Sequence, residues 1–124
     1  MNDSVAHTLV AIGASWGGLD AVRAILSELP AELDAAVVVA QHRSPESHPT
    51  ALRDLLGAVT RMQVREAADK DRIECGTVYI APPDYHLLVD RGSLSLSTDE
   101  PVLYSRPSID VMLESGAEAY RDRL

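Results

Sequence analysis

Thr8-Leu9-Val10-Ala11-Ile12-Gly13-Ala14-Ser15-Trp16-Gly17-Gly18 runs from an apolar stretch straight into a glycine-rich turn. Beyond the turn, Leu19, Val22, Ile25, Leu26 and Leu29 recur at the spacing of one helical face, and Pro30 closes the segment. The order is strand, turn, helix. Ala35-Ala36-Val37-Val38-Val39-Ala40 follows as an almost uninterrupted apolar run ending in Gln41-His42, the pattern of a parallel strand buried on both faces. Thr8 to Ala40 therefore predicts one βαβ unit with a right-handed crossover. Its two strands lie side by side at roughly 4.8 Å and end at the same edge of the sheet.

That edge is where chemistry is expected. Residues 13–17 fit the G-x-S-x-G pattern of a nucleophile turn, with a serine hydroxyl presented between strand and helix. The glycines allow φ > 0 or a close approach of another chain segment, and the following helix offers unpaired N–H groups to a developing anion. Three fixed positions are weak evidence alone, and Ser15 also suits the N-cap of the helix. His42 strengthens the first reading. Ligands in open α/β sheets bind outside the carboxyl ends of the strands, so Ser15 and His42 together suit a base-activated hydroxyl.

The 124 residues suit one domain, 1–124, and 46% hydrophobic residues are enough for a core. A formal charge of -8 argues against nucleic acid and against an anionic membrane surface as partners. Cys75 stands alone, so no internal disulfide forms, and no signal peptide or membrane span is visible; a cytoplasmic location is the default. His42 and His48 lack a Cys or carboxylate at ligand spacing, so neither metal nor cofactor is expected. A phosphate- or nucleotide-binding module is an alternative, but Gly13, Gly17 and Gly18 match neither G-x-G-x-x-G nor the P-loop.

Farther on, Arg43 to Pro49 is a polar loop, and Pro49 opens a short helix carrying Leu52, Leu55 and Leu56 before Gly57. Met62–Glu66, Thr77–Ala81, His86–Val89 and Leu94–Ser97 are short segments separated by Asp69-Lys70-Asp71, Pro82-Pro83-Asp84 and Asp90-Arg91-Gly92. They predict a strand-rich insertion with hairpin pairing. Pro107 begins a helix whose Ile109, Met112, Leu113 and Tyr120 share a face, with Gly116 weakening its centre. The expected fold is α/β, a doubly wound and mostly parallel sheet with that insertion.

Over its whole length the chain resembles the catalytic domain of CheB-type chemotaxis protein-glutamate methylesterases. The resemblance is carried by Val10 to Gly18, by Val37-Val38-Val39-Ala40-Gln41-His42, by Gly76 to Pro82 and by Arg106-Pro107-Ser108-Ile109-Asp110-Val111. Trp16 departs from the threonine usual there. The resemblance implies hydrolysis of glutamyl methyl esters on the cytoplasmic region of methylated chemoreceptors, and in some members deamidation of receptor glutamines. Ser15 would attack, His42 would carry the proton, and N–H groups around Trp16 and Gly17 would hold the oxyanion. Arg106 and His86 are candidate substrate contacts, although a surface ion pair for the first and a loop or hairpin role for the second explain them as well.

The resemblance also implies a further strand and a Gly-rich loop with the triad aspartate, which residues 1–124 do not contain. They match the N-terminal two-thirds or so of the catalytic domain, without the receiver domain of many relatives. The sheet is thus expected to be incomplete at the C-terminus, its open edge to be filled by an oligomer or partner, and the esterase to be impaired. Asp110, in the first turn of a helix, is accounted for by the dipole and capping rather than as a substitute acid. A non-catalytic receptor- or partner-binding remnant of the same fold is the other alternative.

Overall fold

The apolar run before the serine forms strand β1 (Leu9–Ala14), helix α1 (Leu19–Glu28) crosses over, and strand β2 (Ala36–Gln41) returns parallel to it. The computed structural model describes residues 5–15, 18–41, 51–99 and 107–124. Leu9 pairs with Ala36 and the register runs unbroken to Ala14 and Gln41, as expected for one βαβ unit. Helix α2 (Ala51–Gly57) then leads to strand β3 (Gln63–Glu66), and strand β4 (Thr77–Ile80) inserts between β2 and β3. The four-stranded sheet has the order β1-β2-β4-β3, and every pairing is parallel. Strands β5 (His86–Asp90) and β6 (Ser93–Ser97) form an antiparallel pair, and helix α3 (Ile109–Tyr120) ends in a 3-10 turn at Arg121–Arg123.

One expectation needs correction. Met62–Glu66 and Thr77–Ala81 are not part of a hairpin-paired insertion, because β3 and β4 belong to the main parallel sheet; only β5 and β6 form the hairpin. The turn at Asp69-Lys70-Asp71 serves a crossover. Lys70 N donates to Leu94 O at 2.8 Å and Leu94 N to Asp71 O at 2.7 Å, so the crossover is tied to the hairpin instead of reversing into β4.

Side chains of a strand alternate between faces, and β2 divides the core accordingly. Ala36, Val38 and Ala40 join Leu9, Tyr79, Leu87, Leu94 and Met112 under α3 and the hairpin. Val37 and Val39 join Val22, Leu26, Leu52, Leu56 and Ile80 under α1 and α2. Both faces of the sheet are covered, which makes the fold doubly wound. Strand β1 forms one margin, and its Val10 is exposed.

Tyr79 shows how a polar atom is accommodated in that core. Its ring is buried, its hydroxyl donates to Arg72 O at 2.6 Å, and it accepts from Glu74 N at 2.9 Å. Burial raises the phenol above its ordinary range. Tyr79→Phe strips both partners and is expected to cost about 1–3 kcal/mol in denaturant unfolding near neutral pH. A raised phenol favours the folded state below a pH of about 10 and loses that contribution as pH climbs through the folded value. The gap between wild type and Tyr79→Phe should therefore narrow in strong alkali, and a gap constant with pH would contradict this account.

Candidate active site

Gly13 and Gly18 flank the serine, and neither adopts a positive φ. Space explains both. A Cβ on Gly13 would overlap Ile109 Cγ2, at the first residue of α3, and one on Gly18 would lie 2.9 Å from Ala14 Cβ and 3.2 Å from the Ser15 carbonyl oxygen. Bare glycines thus let the start of α3 close on the end of β1 and let the chain fold back at the turn.

Ser15 is exposed at the carboxyl edge of the sheet, directly after β1. It does not cap α1: the N-cap is Gly18, with no side-chain cap bond. Instead the Ser15 carbonyl accepts two hydrogen bonds, from Gly18 N at 2.9 Å and from Gln41 Nε2 at 3.0 Å. The hydroxyl-bearing residue is therefore tied down through its backbone.

Gln41, the last residue of β2, is only 6% exposed, and its buried Oε1 has no hydrogen-bond partner among the described residues. Leaving an enclosed acceptor unsatisfied costs roughly 1–3 kcal/mol. The sequence pattern gave no such role to Gln41, because a polar residue closing an apolar run looks like an ordinary strand boundary.

Ala14 and Gln41, paired in register, immediately precede Ser15 and His42 in the chain. His42 itself, Trp16, Gly17 and Arg106 lie outside the described residues. His86 is described and enclosed, only 2% exposed at the start of β5. Its Nδ1 accepts from Ser108 N at 3.2 Å, which leaves the neutral ring's proton on Nε2. Ser108 in turn caps α3, its hydroxyl accepting from Val111 N. His86 thereby holds the start of α3, whose Ile109 meets Gly13. Asp110 is exposed on the first turn of that helix.

Cys75 lies near the amino end of β4, the opposite sheet edge from Ser15, with Sγ 3.6 Å from Asp34 Oδ1. Among the described residues, no group of three or more His, Cys, Asp or Glu is placed to hold a metal ion. Nor, among them, is any helix long and apolar enough to cross a membrane.

The family model for CheB methylesterase matches residues 10–124. A protein of Leptospira interrogans is 40% identical over 119 residues, covering 95% of this chain and 61% of that protein. The protein-glutamate methylesterase/protein-glutamine glutaminase of Symbiobacterium thermophilum is 39% identical over 123 residues, covering 98% of this chain and 34% of that protein. The crystal structure of the Thermotoga maritima CheB methylesterase catalytic domain matches with a TM-score of 0.85 at 32% identity, over 94% of this chain and 63% of that one. The chain thus spans less than two-thirds of these relatives.

Proposed function

Because the chain belongs to the CheB methylesterase family, we propose that its serine turn is the nucleophile of a protein-glutamate methylesterase, and that residues 1–124 are the part of the catalytic domain carrying Ser15 and His42. The observation that carries the reading is Ser15 itself: exposed at the carboxyl edge of a parallel sheet, held by two bonds to its own carbonyl, and not used as a helix cap.

In this mechanism the Ser15 hydroxyl attacks the carbonyl carbon of a glutamyl methyl ester while His42 takes its proton. Backbone N–H groups at Trp16 and Gly17 stabilise the oxyanion, and His42 returns the proton to the departing methoxide, which leaves as methanol. Water then attacks the acyl-serine, with His42 as base, and frees the glutamate carboxylate. With a glutamine substrate the same steps release ammonia.

The substrate is the methylated cytoplasmic region of a chemoreceptor, which goes with a cytoplasmic location. Arg106 serves as its acidic-segment contact. His86 is enclosed and acts by holding α3. The open margin of β1 takes a further strand, from additional chain, a second copy or a partner. Without a carboxylate to orient His42, turnover would be lower by about 10⁴.

A fluorophosphonate probe tests the nucleophile. The expected result is one covalent label on Ser15, slowed by at least about 10²-fold in His42→Ala. A folded chain that stays unlabelled would favour the non-catalytic receptor-binding alternative.

A further inference from the structure

Strand β2 is apolar from Ala36 to Ala40 and ends in one enclosed polar side chain, Gln41. Among the described residues only half of that amide is satisfied: Nε2 donates to the Ser15 carbonyl at 3.0 Å, and Oε1 has no partner. An apolar side chain of the same shape would avoid the unpaired acceptor, so stability does not account for a glutamine here. What the glutamine supplies is the donor half. Gly18 N holds the same carbonyl at 2.9 Å, from within the turn, while Gln41 holds it from the neighbouring strand.

We infer that Gln41 is a positioning residue of the serine turn, fixing the Ser15 carbonyl from β2 and so setting the turn that presents the hydroxyl. The inference rests on Ser15 acting as the nucleophile. In a trans peptide the N–H that follows a carbonyl points the opposite way. The amide that follows Ser15 in the chain is Trp16's, which the proposed function makes an oxyanion donor, so a hold on the Ser15 carbonyl bears on that donor as well. The contact also ties the serine turn to the end of β2, the residue that immediately precedes His42 in the chain. A turn free to rock by about 1 Å would lose roughly 10²-fold in rate.

The test uses the full chain in three forms: wild type, Gln41→Met and Gln41→Glu. Fluorophosphonate labelling of Ser15 is resolved into apparent affinity and maximal rate, alongside thermal melting and hydrogen exchange at the Gly18 amide. Gln41→Met keeps the length and apolar fit but has no donor. It should melt close to wild type, label about 10²-fold more slowly at saturating probe with little change in affinity, and exchange faster at Gly18.

Gln41→Glu adds a pH signature. An ionised carboxylate cannot donate to the Ser15 carbonyl, whereas a protonated one can. Its labelling rate relative to wild type should therefore recover as pH falls from about 8 to about 5, toward the range in which a carboxylate takes up its proton. Undiminished labelling in Gln41→Met would overturn the inference, as would a loss that follows the melting temperature with no recovery in Gln41→Glu. If wild type fails to label while Gly18 exchange still responds to Gln41→Met, the nucleophile assignment falls and the hold on the turn stands. Unchanged Gly18 exchange removes that hold whatever the labelling shows.

Discussion

Ser15→Ala should abolish the release of methanol from peptides carrying glutamyl methyl esters while leaving the fold intact. The size of the loss depends on how complete the catalytic group is, because members of a nucleophile–base–acid set act as a unit. In a well-studied serine protease, removing the serine costs about 10⁶ in turnover and removing the acid alone about 10⁴. With an orienting carboxylate supplied, Ser15→Ala should therefore cost about 10⁶-fold. Where no carboxylate orients the base, the loss from Ser15→Ala should be about 10²-fold. Stability should stay within about 0.5 kcal/mol, since the side chain is exposed and α1 is capped by Gly18. Methanol release that persists in a folded Ser15→Ala chain would place the chemistry elsewhere.

The second large effect concerns Gly13. Valine is a favoured strand residue, so Gly13→Val on an unobstructed strand would be neutral or stabilising. Here the new Cβ would overlap Ile109 Cγ2 and lie 3.2 Å from Ile109 Cγ1. Ile109 is β-branched and stiff, so the clash is relieved only by shifting the start of α3 or the end of β1. The expected cost is about 3 kcal/mol, near the upper end for overpacking, with melting lowered by roughly 10 °C or more. Displacing α3 also disturbs the Ser108–His86 bond. Ile109→Ala in the same chain should restore about 1–2 kcal/mol, a coupling that a double-mutant cycle measures. Costs that simply add would show that Ile109 is not what Gly13 makes room for.

The βαβ core was legible because its signals are local: a helical period after Gly18, an apolar run before Gln41, and glycines between. The same patterning correctly set Ser15 at a strand-to-helix turn. It failed for Gln63–Glu66 and Thr77–Ile80, where each strand is four residues long and carries no register information. Turn residues at 69–71 look alike whether the chain reverses or crosses over. Gly13 and Gln41 escaped a full account for another reason. Ile109 and Ser15, the residues that explain them, are distant in sequence, and no local period reports such a meeting. His86 is a similar case: its partner is a backbone N–H on α3.

The alternation along β2 has a bearing on how this domain tolerates change over evolutionary time. Val37 and Val39 face one helical layer, while Ala36, Val38 and Ala40 face the other. Sites that share no neighbours add in their effects, so each layer can accumulate replacements with little penalty from the opposite side. The layer under α3 has less latitude, because small side chains there admit a close-lying helix whose first residue crowds Gly13. Lineages should therefore diversify more freely beneath α1 and α2, and an inherited substitution tolerated there would be a poor guide to what the opposite layer accepts.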